Sequence, residues 1–466
     1  MHSGTILGAA SILALAACAT GPNYVAKPIP PSAEEPFVAA SDATVVNDGQ
    51  PAGKWWRLYN DPVLDGLVSD ALAANTDIRV AVAHLVKARA LLREERGARE
   101  PQVSVGATTQ YGRLSGPAIP GEKRTDLQVD VGLDVAYEVD LFGRVSRSIE
   151  AGRGDVGAAS ADADAVRVGI VAETARAYAD AVSSAERIAV AERIVELLDR
   201  SLALTEQRYK IGLATNLDTA RIAALRDQRQ AQVPLLQAER QAALFRLAIL
   251  TARTPRELPA EATERTTSLR LEKPIPIGDG AALLARRPDV RAAERRLAAA
   301  TARIGVATAE LYPRITLGGS IGSSGPGLGK VFGSNPLTWL IGPLINWTVN
   351  RSAARARVAG AQADTQAALA SFDGTILQAL DETETALSNY QQSLARRDAL
   401  RAARDQAERA AQITRARQRE GDISSLELID AERTAADAEA DLAEAEARIA
   451  ASQIDLFKAL GGGWQT

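Results

Sequence analysis

Apolar and polar side chains alternate with a two-residue period through the stretch Thr125 to Arg144. The apolar positions are odd-numbered and carboxylates stand between them: Leu127, Val129, Val131, Leu133, Val135, Tyr137, Val139 and Leu141 against Asp130, Asp134, Glu138 and Asp140. A helix would scatter this apolar set around its surface, so the pattern predicts a strand. The strand exceeds the usual soluble length of about five or six residues. It has the character of a membrane barrel strand, although a half-buried strand of a soluble sandwich would also alternate.

The same period predicts three more strands. Alternation from Val103 to Tyr111 and a loop of turn formers complete a hairpin over residues 101–141. A second hairpin is predicted over residues 313–350, around a glycine-rich loop from Gly322 to Gly333. We expect one face of these strands to contact lipid, namely Val129, Val131, Leu133, Val135, Trp339 and Ile341. The opposite face, with Asp130, Asp134 and Glu138, is expected to line a watery lumen.

Apolar residues recur at helical spacing through the rest of the first half of the chain. Helix is predicted over residues 61–100, with a break and cap at Asn75. After Arg144 an alanine-rich pattern without proline continues to Lys210, which corresponds to roughly 95 Å of helix. A returning helix follows over residues 217–252. Pro234 predicts a kink in it, because proline removes a backbone hydrogen bond.

The same plan then returns about 210 residues later, a period too long for a solenoid. An Asp-Xaa-Arg triplet precedes Pro101, and a similar triplet precedes Pro313 at the same spacing. Long alanine-rich and returning helical patterns follow the second hairpin as they follow the first. We therefore predict an internal duplication, with one repeat over residues 61–265 and the other over residues 266–466.

Four strands per chain cannot close a barrel, and open strand edges are not tolerated in lipid. Symmetric oligomerisation solves this problem because several copies pool their strands in one cylinder. The long helices are expected to line up in the same oligomer as a coiled-coil tube. The prediction is a mainly α-helical chain with membrane β-structure, in a trimeric or higher assembly that acts as a conduit.

The N-terminus carries targeting signals. The only cysteine, Cys18, follows an apolar run and the sequence Leu15-Ala16-Ala17. This ending resembles the bacterial lipobox, which implies a signal peptide over residues 1–17 and a lipid such as palmitate on Cys18. Ala19 in the next position implies sorting to the outer membrane. No Lys or Arg stands at the start, which departs from the usual positive region, and a stray cysteine in an ordinary signal peptide is the alternative. Residues 18–60 are predicted as an extended, lipid-anchored linker.

Composition argues against catalysis and against nucleic-acid binding. The formal net charge is only -4 and aromatic residues make up 4% of the chain. After residue 17 one histidine remains, His84, beside the single cysteine. One histidine and one cysteine are too few to form a metal cluster or a histidine-activated nucleophile. We therefore expect no enzyme, no cofactor and no metal.

A series of motifs spread over the chain resembles the TolC-type outer-membrane efflux channels, in the lipoprotein branch that works with resistance-nodulation-division pumps. The motifs are Gly21-Pro22-Asn23-Tyr24, Trp55-Trp56 with Asp61-Pro62, Asp140-Leu141-Phe142-Gly143-Arg144, Arg208-Tyr209-Lys210-Ile211-Gly212, Arg286-Arg287-Pro288-Asp289-Val290-Arg291 and Phe457-Lys458-Ala459-Leu460-Gly461-Gly462-Gly463-Trp464. The resemblance implies a homotrimer with a 12-stranded barrel above a long periplasmic helical tunnel. It also implies a periplasmic adaptor protein and an inner-membrane pump as partners, and passive export of drugs or other small molecules. Two alternatives are a channel for type I protein secretion and a coiled-coil lipoprotein that transports nothing.

The resemblance also assigns site residues near the two helix-to-helix turns. It implies that Leu426 forms an apolar ring and Asp430 an acidic ring at a closed periplasmic tip, with Arg433 one turn after the carboxylate. The turns at Gly212 and Gly421 are expected to contact the adaptor. Spacing alone favours the alternative that Asp430 and Arg433 form an ordinary surface ion pair, and only the resemblance favours the gate.

Overall fold

The computed structural model describes residues 19–28, 31, 35–39, 46–47, 49, 53–113, 125–271, 274–326, 328–331, 333, 337–420 and 422–462. Cys18 and Gly421 lie outside these residues. The chain divides into two compact units. The sheet unit comprises the chain up to Lys27 with His84–Ser160 and Ala292–Asp373, and the helical unit comprises Pro28–Ala83, Ala161–Arg291 and Gly374–Thr466.

Helices make up most of the described chain. In order they are α1 (Pro62–Ala74), α2 (Thr76–Gly97), α3 (Arg144–Lys210), α4 (Asn216–Gln230), α5 (Gln232–Leu250), α6 (Glu261–Glu264), α7 (Gly280–Arg286), α8 (Pro288–Ala309), α9 (Leu328–Val331), α10 (Ser352–Glu420) and α11 (Ser425–Ala459). With 67 and 69 residues, α3 and α10 are the two long helices that the sequence predicted. Within the described ranges, no helix is both long enough and apolar enough to cross a membrane.

Local capping explains where helices begin and break. The side chain of Asn75 separates α1 from α2 by accepting hydrogen bonds from the backbone N–H groups of Asp77 and Ile78, at 2.8 and 3.2 Å. Between α4 and α5 the helix breaks at Ala231. Pro234 has no N–H to donate to the carbonyl four residues earlier, so the predicted kink is confirmed and its cause is local.

All four predicted strands are present and form one sheet in the sheet unit. They are β2 (Gln102–Arg113), β3 (Thr125–Val139), β5 (Arg314–Pro326) and β6 (Thr338–Asn346), in the order β2-β3-β5-β6 with every pair antiparallel. The duplication therefore places its two hairpins side by side. In the helical unit, two short strands, β1 (Val46–Asn47) and β4 (Ile275–Pro276), pair in parallel.

The second hairpin departs from the prediction at its turn. A glycine-rich loop was expected to begin at Gly322, but β5 continues to Pro326. The extension occurs because Ser323 and Ser324 stay in register with Val131 and Asp130 of β3, which is already long enough to pair with them. Pairing with a neighbouring strand thus outweighs the low strand propensity of glycine and serine. The remainder of the expected loop contains the short helix α9.

The core of the helical unit includes residues that the sequence placed in an extended linker. A 3-10 turn at Trp55–Tyr59 buries both tryptophans, and Trp55 stacks on Phe457 with ring centroids 4.7 Å apart and an interplanar angle of 12°. Aromatic pairs of this geometry stabilise by about 0.5–1.5 kcal/mol beyond the area they bury. The stretch before Asp61 is therefore not a free tether along its whole length. The limits of the two repeats, 61–265 and 266–466, remain a prediction.

Candidate functional site

The predicted gate residues lie at the start of α11. Ser424 caps this helix, its side chain accepting from the backbone N–H of Glu427 at 3.4 Å. Arg433 donates to Asp430 at 2.7 Å. The side chains of Asp430 and Arg433 are 65% and 58% exposed, and Leu426, one turn earlier, is also exposed. The structure therefore brings the carboxylate and the guanidinium together, with the leucine near them on the open surface of the protomer.

A buried ion pair lies next to this exposed group, and sequence reasoning did not find it. Arg415 of α10 donates to Glu432 of α11 through two nitrogens, at 2.7 and 3.2 Å, and the carboxylate is only 4% exposed. The hydrogen bond to Glu432 raises the pKa of the Arg415 guanidinium. Arg415 lies five residues before the end of α10, and Glu432 lies seven residues after the start of α11. Because these distances differ, simple mirror symmetry about the turn would not have revealed the pair from the sequence.

The first hairpin has its own capped turn. Gly212 lies just after the end of α3 with φ of +78°, and a Cβ there would meet no atom within 4 Å, so the turn is open to solvent. Thr215 and Asp218 then form a reciprocal capping box at the start of α4. Hydrogen bonds from the backbone and hydroxyl of Thr215 lower the pKa of Asp218. Asp218 therefore serves as a cap, whereas Asp430 at the second turn is paired with an arginine.

Exposed apolar side chains surround the open turn at Gly212. Ile211 and Leu213 flank the glycine and are largely exposed, as is Leu217 in the first turn of α4. The turns of the two hairpins are linked by Arg208, which donates to the backbone oxygen of Gln418 in α10. The predicted adaptor-contact residue Gly212 therefore lies in an apolar, solvent-facing turn. Its predicted counterpart Gly421 lies outside the described residues.

Strand register fixes which residues share a face of the sheet. Asp134 stands opposite Ser104 on one side and Ser320 on the other, and Asp130 stands opposite Thr108 and Ser324. Polar side chains thus meet across three strands. Glu138 lies on the same face and accepts two hydrogen bonds from Arg144, at 2.8 and 2.7 Å. Leu340 and Leu344 of β6 are large apolar side chains on this otherwise mostly polar face.

The opposite face is apolar across the sheet. Leu133 pairs with Val105 and Ile321, and Trp339 lies beyond Ile321 in the same row. Val129 belongs to this face but is only 3% exposed. The short helix α9 lies against β3 and β5, and Ser323 donates to the carbonyl of Val331 at 3.0 Å. The expectation that Val129 contacts lipid therefore does not fit this structure, although Leu127 and Leu133 on the same face are exposed.

Other recognised motifs have structural roles. Arg287 donates to the carbonyl of Ala459 at the C-terminal end of α11 and to the carboxylates of Asp289 and Glu382. Burial alone would raise the pKa of Asp289, but the hydrogen bonds and charge of Arg287 bring it below its usual value. Asp140 caps α3 by accepting from the N–H groups of Val145 and Ser146. These motifs hold helix ends in place.

No metal-binding cluster accompanies these features in the described part of the chain. Within those ranges, His, Cys, Asp and Glu side chains form no group of three or more that could hold a metal ion. His84 is exposed on α2.

Comparison with known proteins agrees with this architecture. The family model of outer membrane efflux proteins matches residues 67–253 and 281–462. The outer membrane protein OprJ of Pseudomonas aeruginosa is 31% identical over 460 residues, covering 97% of this chain and 94% of OprJ. The pyoverdine export outer membrane protein OpmQ of Pseudomonas putida is 30% identical, covering 97% of this chain and 96% of OpmQ.

A solved structure shares the fold along nearly the whole chain. The outer-membrane channel OprN superposes with a TM-score of 0.90 at 37% identity, covering 96% of this chain and all of that one. The resemblance drawn from the motifs and the predicted fold class are both confirmed. The chain belongs to the outer membrane efflux protein family and is an outer-membrane efflux channel protein.

Proposed function

We propose that three copies of this chain form the channel of a tripartite efflux system, in which their sheets join as one 12-stranded barrel. The observation that carries the proposal is the four-stranded sheet with two open edges, β2 and β6. Unpaired edges expose a row of backbone donors and acceptors, which lipid cannot satisfy. Pairing β6 of one copy with β2 of the next removes every edge at once.

The side chains along both edges support this arrangement. Val103 and Val105 on β2, and Trp339 and Ile341 on β6, are all more than half exposed in the single protomer. In water, such a large apolar face would be an aggregation hazard. In the proposed barrel these side chains face lipid. Asp130, Asp134 and Glu138 on the other face line the lumen.

The names of the relatives indicate which class of molecule is exported more directly than the site does. OpmQ is named for export of pyoverdine, a small molecule, rather than for protein secretion. We take small molecules, including drugs, as the class exported by this chain through a passive conduit. An inner-membrane resistance-nodulation-division pump supplies the energy for export. A periplasmic adaptor protein contacts the turns at Gly212 and Gly421. A lipid on Cys18 anchors each copy.

The tip of the second hairpin serves as the gate in this proposal. Three copies of Asp430 near the threefold axis would repel one another unless Arg433 or cations compensate. Three Leu426 side chains one turn away would exclude water from the bore, as apolar constrictions do in channels. Contacts with adaptor and pump open the tip by favouring its open state.

Conductance of the purified protein in a planar bilayer tests the proposal. We expect discrete single-channel events and a native mass of three protomers. A planar bilayer without protein serves as the blank. A stable monomer that never conducts would refute the trimeric channel and leave a coiled-coil lipoprotein as the better reading.

A further inference from the structure

A polar cavity lies in the helical unit, where side chains of α3, α10 and α11 meet. Its volume is about 510 Å³. Pockets that bind small molecules usually measure about 300–1,000 Å³. The cavity is bordered by the C-terminal half of α11, whereas the proposed gate residues lie at the start of that helix. It is therefore a separate feature of the molecule, and its lining shows what it could bind.

The side chains that line the cavity from α10 and α11 form one stripe on each helix. Their spacing of three and four residues puts them on a common face, namely Asn389, Gln392 and Arg396 on α10 and Arg448, Ser452 and Asp455 on α11. Stripes with this spacing are usually apolar where helices pack together. Here they are polar, so they do not extend the apolar core.

Small side chains at the base of the cavity leave it open. The hydroxyl oxygens of Ser393 on α10 and Ser452 on α11 lie 3.3 Å apart, and Ser452 is buried. Ala386 and Ala451 are also part of the lining. Side chains of this size cannot fill the groove between two helices to the density of a protein interior. The longer polar side chains therefore stand around an unfilled space.

Two arginines beside the cavity, one on each helix, carry charges that the protein does not balance locally. Arg396 and Arg448 are both exposed. In the described ranges, neither guanidinium donates a hydrogen bond or forms an ion pair. Arginines in the neighbouring turns do pair, as Arg401 of α10 does with Glu446 of α11. Two guanidinium groups are thus available to a ligand.

The remaining polar groups strengthen the preference for an anion. Arg176 of α3 donates to Asp455, so these two charges balance one another. Three arginines and one carboxylate line the cavity, which leaves an excess of positive charge. The side-chain amides of Asn389 and Gln392 are exposed and donate to no other residue in the part of the chain that the structure describes. The cavity therefore offers both charged and neutral N–H donors.

We infer that this cavity is a binding site for a small oxyanion with two or more negative charges, carried on carboxylate or phosphate groups. Arg396 and Arg448 bind the oxyanion from the two helices, because the planar donor fork of a guanidinium matches the oxygens of either group. Amide donors complete the site, and the bound anion links α10 to α11. The inference rests on the single protomer and does not depend on the proposed channel function.

Calorimetric titration of the full-length protein in detergent tests the site, with citrate and pyrophosphate as probes at constant ionic strength. We expect saturable binding of at least one probe, with one site per chain. Arg396→Gln and Arg448→Gln should each weaken binding about tenfold or more, since each removes a charged donor. Binding of citrate alone would assign the site to carboxylates, and binding of pyrophosphate alone to phosphates. If neither probe binds, or if singly charged acetate binds equally well, the inference is overturned.

Arg409→Gln is the matched control, because Arg409 is an exposed arginine of α10 that does not line the cavity. This variant should bind like the original protein. An equal loss of affinity in Arg409→Gln would mean that diffuse surface charge attracts the anion, and it would overturn the site.

Gln392→Glu provides a second test of the site, since it keeps the size of an exposed side chain and replaces a donor with a carboxylate. It should weaken binding as well, and unchanged affinity in this variant would contradict the inference. A bound anion should also raise the unfolding temperature. Single-channel conductance of the same preparations reports on the proposed function separately, so a channel that conducts but binds neither probe contradicts this inference alone.

Discussion

Arg415 and Glu432 face one another across the second helical hairpin, with Nε of the arginine 2.7 Å from Oε1 of a carboxylate that is almost fully buried. Removing one partner of a buried pair leaves an uncompensated charge. We expect Arg415→Met to destabilise the start of α11 by about 3 kcal/mol. Amide hydrogen exchange there should become about a hundredfold faster.

Arg433→Met is the matched control for that change. It removes the same type of partner from Asp430, whose carboxylate is exposed, so the cost should stay below about 1 kcal/mol. Equal acceleration in both variants would show that burial of Glu432 does not govern the stability of the tip.

The gate prediction concerns conduction by the isolated channel. Leu426→Ala combined with Asp430→Ala should raise single-channel conductance, because both the apolar and the acidic constriction are lost. Asp430→Arg should lower the preference for cations, measured as a reversal potential under a salt gradient. Asp441→Ala, an exposed carboxylate three turns further along α11, should change neither quantity. Wild-type conductance of the double variant, together with unchanged uptake of vancomycin, would place the primary gate elsewhere.

The two faces of β3 can be compared at neighbouring positions. Leu133→Arg puts a charge on the apolar face and should cost about 2–4 kcal/mol at a mid-bilayer site. Asp134→Arg changes the polar face, opposite Ser104 and Ser320, and should leave assembly intact while altering ion selectivity. The amount of trimer recovered from outer membranes measures both. Comparable losses from the two substitutions would refute the face assignment.

Substitution of Cys18 should prevent lipid attachment without preventing membrane insertion. Cys18→Ser should abolish labelling with radioactive palmitate, since no other cysteine exists. Trimers should still reach the outer membrane, because a closed barrel is itself an integral anchor. Palmitate labelling that persists in this variant would remove the lipid assignment.

Local periodicity predicted the elements but not their partners. Odd-numbered apolar residues from Leu127 to Val139 were enough to identify β3 and its two faces, because side chains of a strand alternate whatever it pairs with. The pairing that extends β5 past Gly322 depends on a strand almost 200 residues away. The contacts of Arg147 to Thr20 and Asn23 could not be predicted either, because the residues are more than 120 positions apart and the local sequence pattern does not indicate the pairing.

The break at Ala231 makes the two halves of the duplication unlike one another. The first hairpin returns as two helices of 15 and 19 residues, whereas the second returns as one uninterrupted helix of 35 residues. Three copies of such a chain would present six hairpin turns with only threefold equivalence. A partner that caps all six must therefore provide two kinds of contact surface, whereas a partner with one kind of surface would engage alternate turns only.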